Sequence, residues 1–257
     1  MDVYWLEQSE ADVPEEDNWL SAAEKACLDA KRVPKRRADW RLGRWTAKLA
    51  LSAYLNTPAE APVLAKIEIR PAASGAPEVF IAGRPAPAAI SISHCNGKSL
   101  CAVAPFETAL GCDLELVEHR SDAFIADYFT AAEQALVAQA PDANRPRLAT
   151  LLWSAKESAL KALHQGLRLD TRSVVVGLPK GVEPSKLDEK PCAAHPDIPL
   201  AQQRSSWQPL EVHCAGGEIF HGWWRQIGCL LRTLVAIPAP DSPIALRLGT
   251  DYRRTAT

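Results

Sequence analysis

The 257 residues suffice for one large domain or two small lobes, and a composition 47% hydrophobic and 23% charged excludes a disordered chain. A net charge of −2 carries no basic excess of the kind a general nucleic-acid binder shows. No apolar run approaches the roughly 20 residues that span a bilayer, and the Met1-Asp2-Val3-Tyr4-Trp5 start has no basic n-region, so the expectation is a cytoplasmic protein that engages neither membrane nor nucleic acid.

Val3 to Leu6 reads as a short first strand, and Ser21 to Cys27 and Lys35 to Tyr54 as helices. The second helix keeps Trp40, Gly43, Ala47, Ala50, Leu51 and Tyr54 on a three-to-four residue spacing, with Lys35, Arg36, Arg37, Arg41 and Arg44 crowding its first half. Ile67 to Arg70 alternates like a strand, Gly75-Ala76-Pro77 is a turn, and Glu78 to Ala82 is the hairpin return. Ala89 to Ser93 and Leu100 to Ala104 are β-type runs around Asn96-Gly97, followed by a strand from Ala109 to Leu116. Asp122 to Gln139 reads as one helix and Arg147 to Leu163 as another, closed by Gly166. Ser173 to Val176 is a strand, 177 to 209 a long proline-rich loop, and strands resume at Leu210 to Val212, Ile219 to Trp224 and Leu230 to Ile237.

Helix followed by strands therefore occurs twice, without a clear sequence repeat. That order implies an α+β fold of two similar, pseudo-twofold related lobes with antiparallel sheets rather than a doubly wound parallel sheet. The expected divisions are an N-terminal lobe over 1–105, a C-terminal lobe over 106–240 and a peripheral tail over 241–257. The seven cysteines form no CxxC pair and no zinc-like spacing, and read as free thiols in a reducing compartment.

Three short segments carry candidate chemistry. In Gly111-Cys112-Asp113-Leu114-Glu115, strand alternation sends Asp113 and Glu115 to one face while Cys112 and Leu114 enter the core. Two carboxylates on one face repel, which is tolerable on a solvated face or with a cation between them. In Trp153-Ser154-Ala155-Lys156-Glu157-Ser158-Ala159-Leu160-Lys161, helical spacing gives Trp153, Glu157 and Lys161 a common face; taken alone this fits a surface ion pair over a packed tryptophan as well as a site. In Ser91-Ile92-Ser93-His94-Cys95-Asn96-Gly97, His94 ends a strand, where it serves either a structural role or hydrogen bonding to phosphate.

In order and spacing, the three segments together closely resemble the 4′-phosphopantetheinyl transferase superfamily, and the whole lobe that precedes them resembles its surfactin-synthetase-activating, monomeric type. The resemblance implies transfer of the 4′-phosphopantetheinyl arm from coenzyme A to a serine of an apo acyl or peptidyl carrier protein, with release of 3′,5′-ADP. It implies Mg²⁺ on Asp113, Glu115 and Glu157, with the ion offsetting their repulsion. Lys161, with Lys156, is assigned to the coenzyme A contacts, and Glu157, or else Glu133, to removal of the serine proton. Ser93 and His94 are assigned to the nucleotide, and Lys35, Arg37 and Arg44 to its 3′-phosphate. The family often has Gly-Lys-Pro where Gly75-Ala76-Pro77 stands, so Arg70 or another residue must compensate for the missing lysine. Coenzyme A is expected to lie across the seam of one chain, making the monomer the active unit. Two other readings use the same residues: a non-catalytic coenzyme A or carrier binder, and a metal-dependent hydrolase of the pyrophosphate.

Overall fold

A computed structural model describes residues 1–165, 169–177 and 207–248. Gly166, read above as a helix stop, and nearly all of the expected loop over 177 to 209 lie outside the described residues. The chain divides into two compact units, one formed by Met1–Leu110 with the C-terminal segment from Pro243, the other by Gly111–Ser242.

The first unit begins with strand β1 (Tyr4–Ser9), then helices α1 (Ala22–Asp29), α2 (Pro34–Tyr54) and α3 (Ala61–Leu64), then strands β2 (Ile67–Pro71), β3 (Pro77–Ile81), β4 (Arg84–Pro85), β5 (Ala88–Cys95) and β6 (Lys98–Pro105). Pro34 at the start of α2 suits the first helical turn, where its missing N–H has no partner to lose. β6 pairs antiparallel with both β1 and β5, and β2–β3–β4 form a second antiparallel sheet. The turn between β5 and β6 uses Asn96 and Gly97 at positive φ, the conformation a two-residue hairpin requires. Helix α2 packs on β6, β1 and β5, burying Leu42, Trp45, Ala47, Leu49, Ala50 and Leu51. The described part of the segment expected to be a peripheral tail, from Pro243 to Leu248, instead returns to this unit. There β12 (Ile244–Ala245) pairs parallel with β1, and Leu246 and Leu248 pack on its core.

The second unit repeats the plan. Strand β7 (Ala109–Leu116) is followed by helices α4 (Asp122–Tyr128), α5 (Ala131–Gln139) and α6 (Arg145–Ala162), then strands β8 (Val174–Gly177), β9 (Gln208–Cys214), β10 (Ile219–Ile227) and β11 (Leu230–Ile237). The sheet order is β7-β11-β10-β9-β8, with α6 packed on β11. The single helix expected over Asp122 to Gln139 is two. Thr130 stops the first by capping the second: its hydroxyl accepts from the N–H of Glu133, whose carboxylate accepts from the N–H of Thr130.

The duplication reaches individual side chains. In the first unit, Ser21-Ala22-Ala23-Glu24 forms a capping box on α1; Lys48 of α2 donates to Glu24 and to the carbonyls of Trp19 and Leu64, and Glu24 accepts from the N–H of Ile69 in β2. In the second, Thr130-Ala131-Ala132-Glu133 forms the box on α5; Lys156 of α6 donates to Glu133 and to the carbonyls of Thr171 and Val174, and Glu133 accepts from the N–H of Val176 in β8. Both lysines are fully buried, and desolvation lowers the pKa of each against the raising effect of its glutamate. The matching runs are Trp45-Thr46-Ala47-Lys48 and Trp153-Ser154-Ala155-Lys156.

Among the described residues Cys27, Cys95, Cys101, Cys112 and Cys214 form no disulfide, whereas Cys229 is disulfide-bonded, correcting the expectation of free thiols throughout. No helix among the described residues is long and apolar enough to cross a membrane.

Candidate active site

The acidic residues of the second unit meet because β7 and α6 approach more closely than side chains normally permit. A Cβ on Gly111 would lie 1.8 Å from the carbonyl oxygen of Ser158, so only glycine fits there. Small residues line this sheet-facing side of the helix. Ser154 and Ser158 share hydrogen bonds with Thr233 of β11 at 2.9 and 2.7 Å, and Ala155 and Ala159 are fully buried. Two residues beyond Gly111 on β7 stands Asp113; one residue before Ser158 on α6 stands Glu157.

Strand alternation places Cys112 and Leu114 in the core, as expected, and Asp113 is itself buried, at 3% exposure. That exposure excludes a freely solvated strand face. Lys161 donates to Oδ1 of Asp113 at 2.7 Å and to the carbonyl of Cys112 at 3.1 Å. The helical spacing suggested a Glu157–Lys161 pair, but the lysine reaches across to β7 instead. Burial lowers the ammonium's pKa, but Asp113, the Cys112 thiol and Glu157 together raise it further, and the net shift is upward, so Lys161 is charged.

Glu115 accepts from Arg120 through one oxygen, at 2.9 Å, and from the indole N–H of Trp153 through the other, at 3.2 Å. Its pKa is raised by burial and then by Asp113, against the opposing effects of Arg120 and Trp153. Glu157 is pushed up to about 6, again by burial first and Asp113 second, with Lys161 opposing and Glu115 adding. Its Oε1 is buried without a hydrogen-bond partner. Among the described residues no three His, Cys, Asp or Glu side chains stand as a preassembled metal centre. The protein cations explain this: Lys161 occupies Asp113 and Arg120 occupies Glu115. The donor set still suits a hard divalent cation, since it is all carboxylate oxygen, mutually repelling, with one buried oxygen unanswered.

Two expected site residues lie elsewhere. Glu133 is 1% exposed, and its carboxylate is engaged by Thr130, Lys156 and the N–H of Val176, so it has no free oxygen with which to take a substrate proton. Lys156 is fully buried, with its ammonium bound to Glu133 and the carbonyls of Thr171 and Val174. Both belong to the scaffold.

In the first unit, His94 is exposed at the end of β5, while Ser93 is buried and its carbonyl accepts from Ser99. The three basic residues of α2 assigned to the 3′-phosphate each have a protein partner. Lys35 contacts Asp39 at 3.0 Å, Arg37 donates to the carbonyl of Leu28, and Arg44 lies 3.9 Å from Glu24 with its guanidinium over Trp40. Arg70 pairs with Glu68 and stacks on Phe80 at 4.2 Å. Sequence reasoning missed Arg120, which sits in the loop after β7 with no motif around it, and the tie between Trp153 and Glu115.

Residues 109–204 match the family model described as ACPS, the 4′-phosphopantetheinyl transferase superfamily. The chain is similar to the 4′-phosphopantetheinyl transferase HetI of Nostoc sp. (strain PCC 7120), at 26% identity over 188 residues, spanning 72% of this chain and 76% of HetI. Among solved structures it is similar to a holo-(acyl-carrier-protein) synthase from Bacillus anthracis in complex with CoA (3′,5′-ADP), at 19% identity and a TM-score of 0.34, covering 40% of this chain and 92% of that one. A second is Helicobacter pylori holo-[acyl-carrier-protein] synthase in complex with coenzyme A, at 17% identity and a TM-score of 0.33, covering 40% and 98%.

Proposed function

We propose that this chain, whose residues 109–204 match the model of the 4′-phosphopantetheinyl transferase superfamily, moves the phosphopantetheinyl arm of coenzyme A onto a serine of an apo carrier protein, in a Mg²⁺-dependent reaction that releases 3′,5′-ADP. The observation that carries the proposal is the close approach at Gly111 and Ser158, which gathers Asp113, Glu157 and Lys161 beside Glu115 within the matched segment.

Asp113, Glu157 and Glu115 are the residues that would hold Mg²⁺. When bound, the ion supplies charge neutralisation at the pyrophosphate. Lys161 contributes a fixed positive charge beside the same carboxylates, suited as a point charge to the phosphate oxygens that turn negative as the bond to the leaving 3′,5′-ADP breaks. Glu157, whose buried Oε1 has no hydrogen-bond partner, is the group best suited to accept the serine proton, directly or through one water. The serine oxygen then bonds to the β-phosphorus as the phosphoanhydride bond opens. Ser93, His94, Lys35, Arg37, Arg44 and Arg70 remain proposed nucleotide contacts, as do a monomeric active unit and a cytoplasmic setting.

Intact-mass spectrometry tests the reading. Apo acyl and peptidyl carriers incubated with coenzyme A, Mg²⁺ and this protein should gain one phosphopantetheinyl arm, and excess chelator should prevent it. Release of free phosphopantetheine without carrier modification would establish hydrolysis instead, and no product under any condition would leave only binding.

A further inference from the structure

The loop after β7 carries a cation that the transfer chemistry does not require. Arg120 has 16% of its side chain exposed, and its guanidinium lies 5.1 Å from the ring centre of Phe124. It reaches back to Glu115 at 2.9 Å and to Glu118 at 3.1 Å. Trp153 takes the other oxygen of Glu115. Both oxygens of this carboxylate are thus engaged by the protein, while Glu157 keeps a buried oxygen with no hydrogen-bond partner.

We propose that Arg120 is a positioning residue that competes with the divalent cation for Glu115, making Glu115 a reserve ligand and setting how tightly the site binds its metal. The inference rests on the assignment of Asp113, Glu115 and Glu157 to one cation. Its physical basis is competition: a guanidinium and a metal ion on the same carboxylate repel each other and draw on the same negative charge, so each lowers the apparent affinity of the other. The stacking on Phe124 and the second carboxylate, Glu118, fix the guanidinium in that position without help from the metal site.

The test is Mn²⁺ titration of the full chain, followed by the paramagnetic signal of free Mn²⁺ in the absence of coenzyme A and carrier. Arg120→Gln should tighten binding by about tenfold, the scale of one charge-assisted hydrogen bond. In a Glu115→Gln background the same substitution should change nothing, because the contested carboxylate charge is gone. Equal tightening in both backgrounds would mean a long-range charge effect and would overturn the proposal, as would unchanged or weaker binding in Arg120→Gln. Arg120→Lys keeps the charge without the planar fork and should bind Mn²⁺ with intermediate affinity; it serves as the readout if Arg120→Gln does not fold. Asp113→Asn separates the two levels. If it abolishes Mn²⁺ binding while Arg120 substitutions have no effect, the metal site stands and the competition fails. If it binds as tightly as the parent chain, the metal assignment itself fails.

Discussion

A carboxyl group taken out of water stays ionised only where something cationic answers it, and the three acidic residues beside Gly111 are answered unequally. Asp113 has Lys161, Glu115 has Arg120 and an indole N–H, and Glu157 has only the more distant pull of Lys161, which is why its carboxyl rises to about 6. Asp113→Ala and Glu157→Ala each remove an oxygen donor from the centre of this arrangement. Each should lower kcat/KM for carrier modification on the order of 10²-fold or more, since charge neutralisation at a phosphoryl centre contributes several kcal/mol. Glu115→Ala should fall less, because water can replace one ligand of Mg²⁺. Undiminished transfer by Asp113→Ala, measured by carrier mass, would sink the assignment. The two acidic segments were legible in the sequence because strand alternation and helix spacing set which residues share a face. The partners were not. Helical spacing pairs Glu157 with Lys161, and only the packing of β7 on α6 turns that lysine to Asp113.

At the scale of elements, the site exists because β7 and α6 touch backbone to backbone. Gly111→Ala puts a methyl group 1.8 Å from the Ser158 carbonyl, and no side-chain rotation relieves a clash with backbone. The strand must move off the helix, carrying Asp113 away from Glu157. The expected result is a loss of about 1–3 kcal/mol in denaturant unfolding together with a disproportionate loss of transfer. Wild-type stability with wild-type activity would show that the close approach is not needed. Element boundaries were read well where one pattern dominated, as in β7 and β11. They failed at Phe129-Thr130, where helical residues flank a capping box: Thr130-Ala131-Ala132-Glu133 satisfies the N–H groups of a new helix and so breaks the run from Asp122 to Gln139. The same box explains the two misplaced site residues. Glu133 and Lys156 look like surface chemistry in a sequence, since charged residues are seldom fully buried unless paired, and here they pair with each other.

At the scale of the molecule, each unit is built on one buried device, a capping-box glutamate bridging the long helix to a strand through a lysine. In the second unit the same helix also carries Glu157 and Lys161 of the acidic cluster. Where α6 has Glu157 and Lys161, the matching positions of α2 are Leu49 and Ala53, so the first copy of the device is purely structural. The repeat was present in the sequence as Ser21-Ala-Ala-Glu24 with Trp45-Thr-Ala-Lys48, and Thr130-Ala-Ala-Glu133 with Trp153-Ser-Ala-Lys156. It went unread because eight matching positions scattered over two halves are weak without the sheet order that aligns them. If the device is equivalent in both units, breaking it should have equivalent and separable effects. Lys48→Met and Lys156→Met each leave a buried carboxylate without its cation and should destabilise by about 3–5 kcal/mol. Hydrogen exchange followed by mass spectrometry locates the damage: the peptide over β2, containing Ile69, should lose protection in Lys48→Met, and the peptide over β8, containing Val176, in Lys156→Met, because those N–H groups donate to the two glutamates. Loss confined to one unit whichever lysine is changed, or full protection of both strands in both variants, would show that the paired lysines do not hold the sheets to their helices.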